Sequence, residues 1–164
     1  MDKVIVLGSP GAGKSTFSRR LSELTGLPLT YLDMVYHRPD RTHITHEEFD
    51  SRLEEIVSGD RWLIDGNFYR TIEMRLKACD TAFLFDLPAD VCLAGVRSRI
   101  GKPRVDMPWT DHEIEPAFEK LIRNFPTIIT PGIYLLFEKY SDKNIIVFKT
   151  REQADEFLLA YNKE

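Results

Sequence analysis

The sequence predicts a three-layer α/β/α sandwich built on a parallel sheet. Short apolar runs alternate with longer amphipathic runs along the 164 residues, which is typical of strands joined by helical crossovers. Polar residues follow the apolar runs, and open α/β sheets bind ligands beyond the carboxyl ends of their strands. No repeat, low-complexity tract or linker interrupts the pattern, so we expect a single domain over residues 1–164.

Hydrophobic periodicity places the individual elements. Strands are predicted at residues 4–7, 29–32, 62–64, 81–85 and 144–148. Helices are predicted at about 14–25, 46–58, 69–78, 88–100 and 152–161, and a long helical region before the last strand is predicted to break near 124–126 and 131–132. Gly26, a capping box of Thr45 with Glu48, and Pro88 mark three helix boundaries. Residues 36–45 are polar and are predicted to form a loop.

Composition narrows the classes of partner. The formal charge is −4 and the pI is about 5.6, which argues against direct nucleic-acid binding because phosphate contacts need excess Lys and Arg. No stretch of about 18 apolar residues occurs, so no membrane span is predicted. The first residues do not form a signal peptide, so we expect a cytoplasmic protein, as a monomer or weak dimer. Cys79 and Cys92 are predicted to be buried small apolar residues.

The N-terminal segment carries a complete phosphate-binding loop between a predicted strand and a predicted helix. Backbone N–H groups turned inward by glycines can cradle phosphates, and Lys14 adds a charge at the β- and γ-phosphates. The hydroxyl of Ser15 can ligate Mg²⁺, and Thr16 can bond near the α-phosphate. The motif predicts ATP with Mg²⁺ bound by Gly8, Ser9, Pro10, Gly11, Ala12, Gly13, Lys14, Ser15 and Thr16.

Three aspartates lie at the ends of predicted strands. Asp65 is predicted to hold the magnesium ion through water, since Gly66 and Asn67 follow it and leave room for a ligand. Asp86 could serve the ion in the same way, or could cap the next helix. Asp33 could accept a proton from a substrate hydroxyl, or could make only local backbone bonds.

A basic loop and a group of histidines complete the candidate residues. Arg97, Arg99 and Arg104 cluster at the end of the predicted helix 88–100 and in the loop after it, where they could neutralise a transferring phosphoryl group, whereas Lys102 is expected to be solvated. Three histidines lie close together in the polar segment, but their spacing does not match a metal site: His37, His43 and His46.

Several segments in order along the chain carry a family resemblance. They are the phosphate loop at 8–16, Tyr-Leu-Asp at 31–33, Ile-Asp-Gly-Asn at 64–67, Arg70, Phe-Asp-Leu-Pro at 85–88, Arg-Val-Asp-Met at 104–107, and Asn-Phe-Pro at 124–126. With them the chain resembles the adenylate-kinase-related proteins labelled DNA topology modulation proteins, within the nucleoside-monophosphate-kinase and shikimate-kinase branch of P-loop kinases. The resemblance implies strand order 2-3-1-4-5, a substrate-binding helical segment at about 34–60 and a lid at about 98–112.

The resemblance also assigns roles to arginines. Arg70 would reach the acceptor's phosphate or the γ-phosphate, Arg97 or Arg99 would stack on adenine, and Arg104 would be the lid arginine. The segment of Thr150 and Arg151 would pack on the base. The chain departs from adenylate kinases by lacking the proline of Asp-Gly-aromatic-Pro-Arg, and His37 and Arg41 stand where related proteins carry tryptophans. The acceptor stays open at this point.

These observations predict a kinase that transfers the γ-phosphate of Mg-ATP to a nucleoside monophosphate or a hydroxylated metabolite, with Lys14, Asp33, Arg70 and Arg104 as catalytic residues. The alternative is a nucleotide-dependent regulator of DNA topology or gene expression. A third possibility is a nucleotide sensor that hydrolyses ATP slowly without any acceptor.

Overall fold

The structure is a computed structural model that describes residues 1–161. The five strands are β1 (Lys3–Gly8), β2 (Leu29–Tyr31), β3 (Trp62–Asp65), β4 (Thr81–Phe85) and β5 (Asn144–Phe148). The helices are α1 (Lys14–Thr25), α2 (Leu32–Tyr36), α3 (His46–Ser58), α4 (Ile72–Ala78), α5 (Ala89–Arg99), α6 (Pro116–Asn124), α7 (Thr130–Lys139) and α8 (Arg151–Tyr161). A 3₁₀ turn (Tyr69–Thr71) precedes α4, and a π-helical segment (Phe125–Ile129) joins α6 to α7.

The strands form one parallel sheet in the order β2-β3-β1-β4-β5. This confirms both the fold class and the strand order implied by the resemblance. In the register of the sheet, Val6 lies beside Asp65 on one side and beside Phe83 on the other. The carboxyl ends of β1 and β3 are therefore neighbours, which brings the phosphate loop and Asp65 to the same edge.

Helices cover both faces of the sheet. Val4 and Val6 of β1 join a core with residues of α1, α5, α6 and α8, while Ile5 and Leu7 join a second core with residues of α3, α4 and α7. Alternate residues of a strand point to opposite faces, so an uninterrupted apolar strand is typical of a sheet buried on both sides. Cys92 lies in the first core and Cys79 in the second, as predicted for buried small residues.

The structure corrects the prediction after β2. The strand ends at Tyr31, and Leu32 begins the short helix α2, so Asp33 lies in the first turn of a helix and not at a strand end. The predicted loop at 36–45 contains a small hairpin, in which His37 pairs with His43. The helix predicted after it is confirmed, because the hydroxyl of Thr45 accepts from the backbone N–H of Glu48 at 3.1 Å.

The long helical region differs from the prediction at its second break. The chain is continuously helical from Pro116 to Lys139, because the π segment bridges α6 and α7 and the prolines lie in the first turns of their segments. The break predicted near 131–132 is therefore wrong, since Pro131 lies inside α7. Within residues 1–161, no helix is long and apolar enough to cross a membrane.

Candidate active site

The phosphate loop connects β1 to α1 and packs directly on α5. Gly11 has φ 79°, and a Cβ there would lie 2.1 Å from the carbonyl oxygen of Cys92. Gly13 precedes α1 with φ 107°, in the left-handed region that favours glycine. These two glycines let the backbone curl close to α5, so that the N-terminus of α1 opens into the cavity described below.

Two side chains from distant segments fix this loop. The amide of Asn67 donates to the carbonyl of Gly8 at 2.7 Å and accepts from the Gly8 N–H at 3.0 Å. Arg151 donates to the carbonyl of Gly11 at 2.7 Å and to that of Ala12 at 3.3 Å. These bonds differ from the base-packing role that the resemblance implied for Arg151, because its guanidinium holds loop carbonyls.

Lys14 connects the loop to two carboxylates. Its ammonium group donates to the carbonyl of Ser9 at 3.0 Å. Burial lowers the pKa of Lys14, whereas the nearby charges of Asp65 and Asp33 raise it. The loop lysine therefore lies within electrostatic reach of Asp33 and Asp65, two of the aspartates that the sequence singled out.

Asp65 is the last residue of β3 and is only 4% exposed. Burial raises its pKa to about 6, although Lys14 and the hydroxyl of Ser15 act in the opposite direction. Its Oδ2 atom has no hydrogen-bond partner among the described residues. A buried, unpartnered carboxylate oxygen beside the hydroxyl of Ser15 is an oxygen donor set that suits Mg²⁺.

The donor set at this position is small. No group of three or more His, Cys, Asp or Glu side chains within residues 1–161 could hold a metal ion together. Mg²⁺ commonly keeps several waters and takes only one or two protein ligands beside substrate phosphates. His37, His43 and His46 likewise form no metal site in the described part of the chain.

Asp86 lies apart from the phosphate loop. It accepts from the hydroxyl of Tyr134 at 2.7 Å and forms an ion pair with Lys149. It does not line the large cavity that contains the loop. We therefore drop Asp86 as a metal ligand, and its predicted capping role is also absent, because α5 has no side-chain cap.

The segment between α5 and α6, residues 100–115, folds over the loop as a lid. Arg104 donates to Asp106 through Nε at 3.0 Å and Nη2 at 2.7 Å, and the hydroxyl of Ser15 donates to Asp106 at 2.8 Å. The side chains of Arg104 and Asp106 are 10% and 12% exposed. Burial acts to raise the pKa of Asp106, but the bonds and charge of Arg104 lower it below its usual value.

Asp33 and its neighbours form another part of the cavity lining. Asp33 Oδ1 lies 3.9 Å from Nε2 of His37, and the ring of His37 meets Trp109 of the lid edge-on at 5.1 Å between centroids. Burial raises the pKa of Asp33 and lowers that of His37. The guanidinium of Arg41 lies 5.2 Å from the centroid of Trp109. The lid thus contacts both the phosphate loop and the segment after β2.

The remaining predicted arginines lie in different places. Arg70 forms two bonds with Asp50, at 2.8 and 2.6 Å, on the exposed side of a small pocket, and does not line the large cavity. This corrects its predicted placement at the acceptor. Arg97 is exposed and pairs with Glu119 at 3.5 Å outside the cavity, whereas Arg99 lines it.

One cavity of about 1130 Å³ joins these parts. Its walls include the phosphate loop from Pro10 to Thr16, the carboxylates of Asp33 and Asp65, and the lid. Small-molecule sites are commonly about 300–1,000 Å³, so the cavity has room for a nucleotide and a second small ligand.

Sequence reasoning assigned no role to three residues in or beside this cavity. Asp106 belongs to the segment 104–107 that carried the resemblance, but neither its contact with Ser15 nor that of Trp109 with His37 is signalled locally, since these partners lie far away in the sequence. Arg75 is fully buried and donates to the carbonyl of Gly66 at 2.9 Å and to that of Asn67. A charged residue in the apolar pattern of a short helix was the available signal for Arg75.

Comparison with known proteins returns kinases. No family model matches the chain. It is 30% identical to the adenylate kinase of Thermotoga petrophila over 88 residues, which cover 52% of this chain and 39% of that protein. The adenylate kinase of Thermotoga neapolitana is 28% identical over the same length. The match thus spans about two fifths of the length of these curated relatives.

The solved structures agree on the fold. The shikimate kinase of Acinetobacter baumannii in complex with shikimate superposes with a TM-score of 0.60 at 19% identity, covering 98% of this chain and 93% of that one. A gluconokinase from Sinorhizobium meliloti gives 0.60 at 12% identity, with coverages of 99% and 90%. These relatives give no support to a role in DNA topology, which stays a prediction. The chain has the fold of the P-loop kinases.

Proposed function

We propose that this protein is a small-molecule kinase that transfers the γ-phosphate of Mg-ATP to a hydroxyl group of a small acceptor. One observation carries the proposal: the phosphate loop and Asp33 line the same cavity. Lys14 is electrostatically coupled to Asp33 across that cavity. A triphosphate on the loop would therefore end near a group able to accept a proton.

The nucleotide half is built from groups that suit a triphosphate. The N–H groups at the start of α1 and the ammonium group of Lys14 bind phosphate oxygens. Ser15 and Asp65 would hold Mg²⁺, directly or through water, and the ion when bound supplies charge neutralisation at the phosphates. Arg99 is better placed than Arg97 to contact the nucleotide, since it lines the cavity.

The acceptor half favours a hydroxyl over a nucleoside monophosphate. Arg70, the residue implied for an acceptor's phosphate, is committed to Asp50 and lies outside the cavity. Partial removal from solvent raises the pKa of Asp33, although its side chain is 39% exposed, and a raised pKa makes a carboxylate a stronger base. His37 lies 3.9 Å away and can orient it.

The transfer step follows from this arrangement. The acceptor oxygen forms a bond to the γ-phosphorus while the bond from that phosphorus to the β–γ bridging oxygen breaks, leaving its electron pair on ADP. The hydroxyl proton passes to the carboxylate of Asp33. Arg104 would exchange Asp106 for the transferring phosphoryl group, since the carboxylate now occupies its fork of donors.

An acceptor screen tests the proposal. ADP release is measured with Mg-ATP against a panel of polyols, hydroxy acids, sugar phosphates and nucleoside monophosphates. We expect at least one hydroxylated acceptor to raise ADP release, and Lys14→Ala to abolish it while Lys120→Ala, an exposed control on α6, leaves it unchanged. If no acceptor raises ADP release above the rate with ATP alone, the kinase proposal fails and the slow-hydrolysing nucleotide sensor is favoured.

The regulatory alternative has its own test. Nothing in the described surface favours it over the kinase, and the formal charge of −4 opposes direct binding to DNA. A gel shift with supercoiled and linear DNA at low salt, with and without ATP, is expected to show no complex. A complex that forms only with ATP would favour the regulator.

A further inference from the structure

Residues 37–43 form a small hairpin, here named the acceptor hairpin, beside α2. Its ends pair as an antiparallel bridge, the N–H of Arg38 donates to the carbonyl of Thr42 at 2.8 Å, and the N–H of Arg41 donates to the carbonyl of Arg38 at 3.0 Å. The turn carries Pro39 and Asp40 at its centre, and Arg41 follows with φ 68°. This is a tight turn followed by a left-handed residue, the arrangement of a three-residue hairpin loop.

The left-handed position of such a loop normally holds glycine or asparagine. Glycine adopts positive φ without steric cost, whereas a Cβ-bearing residue with a long side chain loses stability there. Arg41 and Phe68 are the non-glycine residues with positive φ among residues 1–161. An arginine at a place that suits glycine indicates that the side chain is used, because backbone strain concentrates at functional sites.

The side chain of Arg41 reaches the lid. Its guanidinium lies 5.2 Å from the centroid of Trp109, and both residues line the cavity that also contains Asp33. Trp109 is itself held by the bond from its Nε1 to Asp111 at 2.8 Å and by the ring of His37. An aromatic face fixes a guanidinium by cation–π contact while leaving its donors at the edge of the plane free.

Arg41 differs in its partners from three other arginines of the same cavity, whereas Arg19 and Arg99 line it and, like Arg41, form no ion pair among the described residues. Arg104 is neutralised by Asp106, Arg20 pairs with Asp155 at 2.5 Å, and Arg151 donates to loop carbonyls. Arg41 forms no ion pair with any carboxylate in the part of the chain that the structure describes. Its charge therefore remains available to a ligand on the acceptor side.

We propose that Arg41 determines specificity by binding an anionic group, a carboxylate or a phosphate, of the hydroxylated acceptor, while Trp109 holds its guanidinium in place. Arginine binds both groups through two parallel hydrogen bonds. Asp33 then contacts the reacting hydroxyl and Arg41 the charged end of the same molecule. The proposal rests on the proposed kinase function and adds the chemical class of the acceptor: an anionic polyol.

Matched acceptors test this class directly. The panel contains polyols of four to seven carbons, the aldonic acids of the same chain lengths, and their terminal phosphate esters. We expect the KM of a carboxylate or phosphate acceptor to lie at least about tenfold below that of its neutral counterpart, as a charge-assisted pair predicts. Comparison of the KM values of the aldonic acids with those of the phosphate esters shows whether a carboxylate or a phosphate is the preferred group.

The variant Arg41→Gly removes the charge without harming the turn. We expect it to raise the KM for anionic acceptors about tenfold or more, to change that for neutral acceptors less than about threefold, and to leave the KM for ATP unchanged. Its Tm is expected to equal or exceed that of the parent, because glycine suits the left-handed position. Arg38→Gln is the matched control, since Arg38 belongs to the same hairpin but does not line the cavity.

A binding readout separates this inference from the proposed function. Emission of Trp109 is followed during titration with aldonic acids, sugar phosphates and neutral polyols in the presence of a non-hydrolysable ATP analogue, with Trp109→Phe as the blank. Quenching by anionic probes in the parent but not in Arg41→Gly supports the inference even if no acceptor raises ADP release. Equal responses to neutral and anionic probes, or an unchanged response in Arg41→Gly, overturn it while leaving the kinase proposal standing.

Discussion

The two walls of the cavity are built in different ways. The nucleotide wall is one continuous stretch of chain, from Gly8 to Ser15, whose backbone is fixed by Asn67 and Arg151. The acceptor wall combines side chains from the segment after β2 with Trp109 of the lid. The first wall presents mainly backbone groups, and the second presents mainly side chains.

This difference suggests that the two walls have different tasks: one binds the nucleotide, and the other selects the acceptor. Backbone N–H groups bind any triphosphate, so a local motif is enough to indicate the nucleotide. In the proposed function, side chains such as Asp33 and Arg41 choose among acceptors, and both line the cavity together with residues of the lid. Changes to the nucleotide wall should therefore affect ATP binding, and changes to the acceptor wall should affect the choice and reaction of the acceptor.

The largest effect is expected for the acceptor wall. Asp33→Asn removes the proposed proton acceptor, so kcat should fall by about 10²–10³-fold, as expected for loss of a general base. The Kd for ATP should change less than about twofold, because Asn67, Lys14 and the loop are untouched. Steady-state kinetics and isothermal titration calorimetry measure the two effects.

Asp40→Asn is the control for this variant, since Asp40 lies in the same segment, exposed and bonded only to Thr42. A comparable fall of kcat in that variant, or a large loss of ATP affinity in Asp33→Asn, would break the separation between the two walls.

The buried carboxylate of Asp65, beside the nucleotide wall, should lower the free energy of unfolding of the nucleotide-free protein at neutral pH. The pKa of Asp65 in the folded protein is about 6, above its ordinary value of 3.8, because the carboxylate is buried. A raised pKa favours the protonated form in the fold, so the contribution of Asp65 to stability is present below about pH 4 and is lost as the pH rises through 6. Asp65→Asn should therefore be more stable than the parent at pH 8 by up to about 3 kcal/mol.

Urea unfolding at pH 4 and pH 8 without nucleotide measures this difference. Asp60→Asn, at an exposed turn before β3, is the control and should behave like the parent. A stability gain for Asp65→Asn that is the same at both pH values would show that titration of Asp65 is not the cause. The same variant should lose Mg²⁺-dependent ATP affinity.

A smaller effect, on ATP affinity, is expected when the hydrogen bonds between Asn67 and the phosphate loop are removed. Asn67→Ala deletes both bonds to Gly8, so ATP affinity should fall by about tenfold, the size expected from one or two hydrogen bonds. The KM for the acceptor should stay within about twofold. Calorimetry with ATP and acceptor kinetics check this, with Asn144→Ala at the exposed start of β5 as the control. A change confined to the KM for the acceptor would assign Asn67 to the acceptor wall instead of the nucleotide wall.

The smallest effect concerns the lid, which touches both walls. Asp106 accepts from Ser15 and occupies Arg104 in the absence of nucleotide. Asp106→Asn should free both groups and tighten ATP binding without Mg²⁺ by about threefold, because a competing negative charge is removed. Titration with ATP in EDTA measures this, and Asp142→Asn, far more exposed, is the control. Weaker binding would mean that Asp106 assists the nucleotide.

Sequence reasoning succeeded where the signal was local. The phosphate loop, the α3 cap at Thr45 and the strands follow from motif, capping chemistry and periodicity, and the structure has them at nearly the predicted residues. Sequence reasoning failed where a side chain is bound by residues from a distant segment. Asp86 follows a strand as Asp65 does, yet Lys149 and Tyr134 take its carboxylate.

The sequence by itself determined the fold class and the nucleotide wall of this protein. Both depend on spacing along the chain, which sterics and hydrogen bonding translate directly into backbone shape. Only the tertiary structure decided which arginines face the cavity: Arg70 is held outside by Asp50, while Arg41 lies against Trp109 of the lid. Those contacts join residues far apart in sequence, so their energies depend on packing between segments rather than on any local pattern.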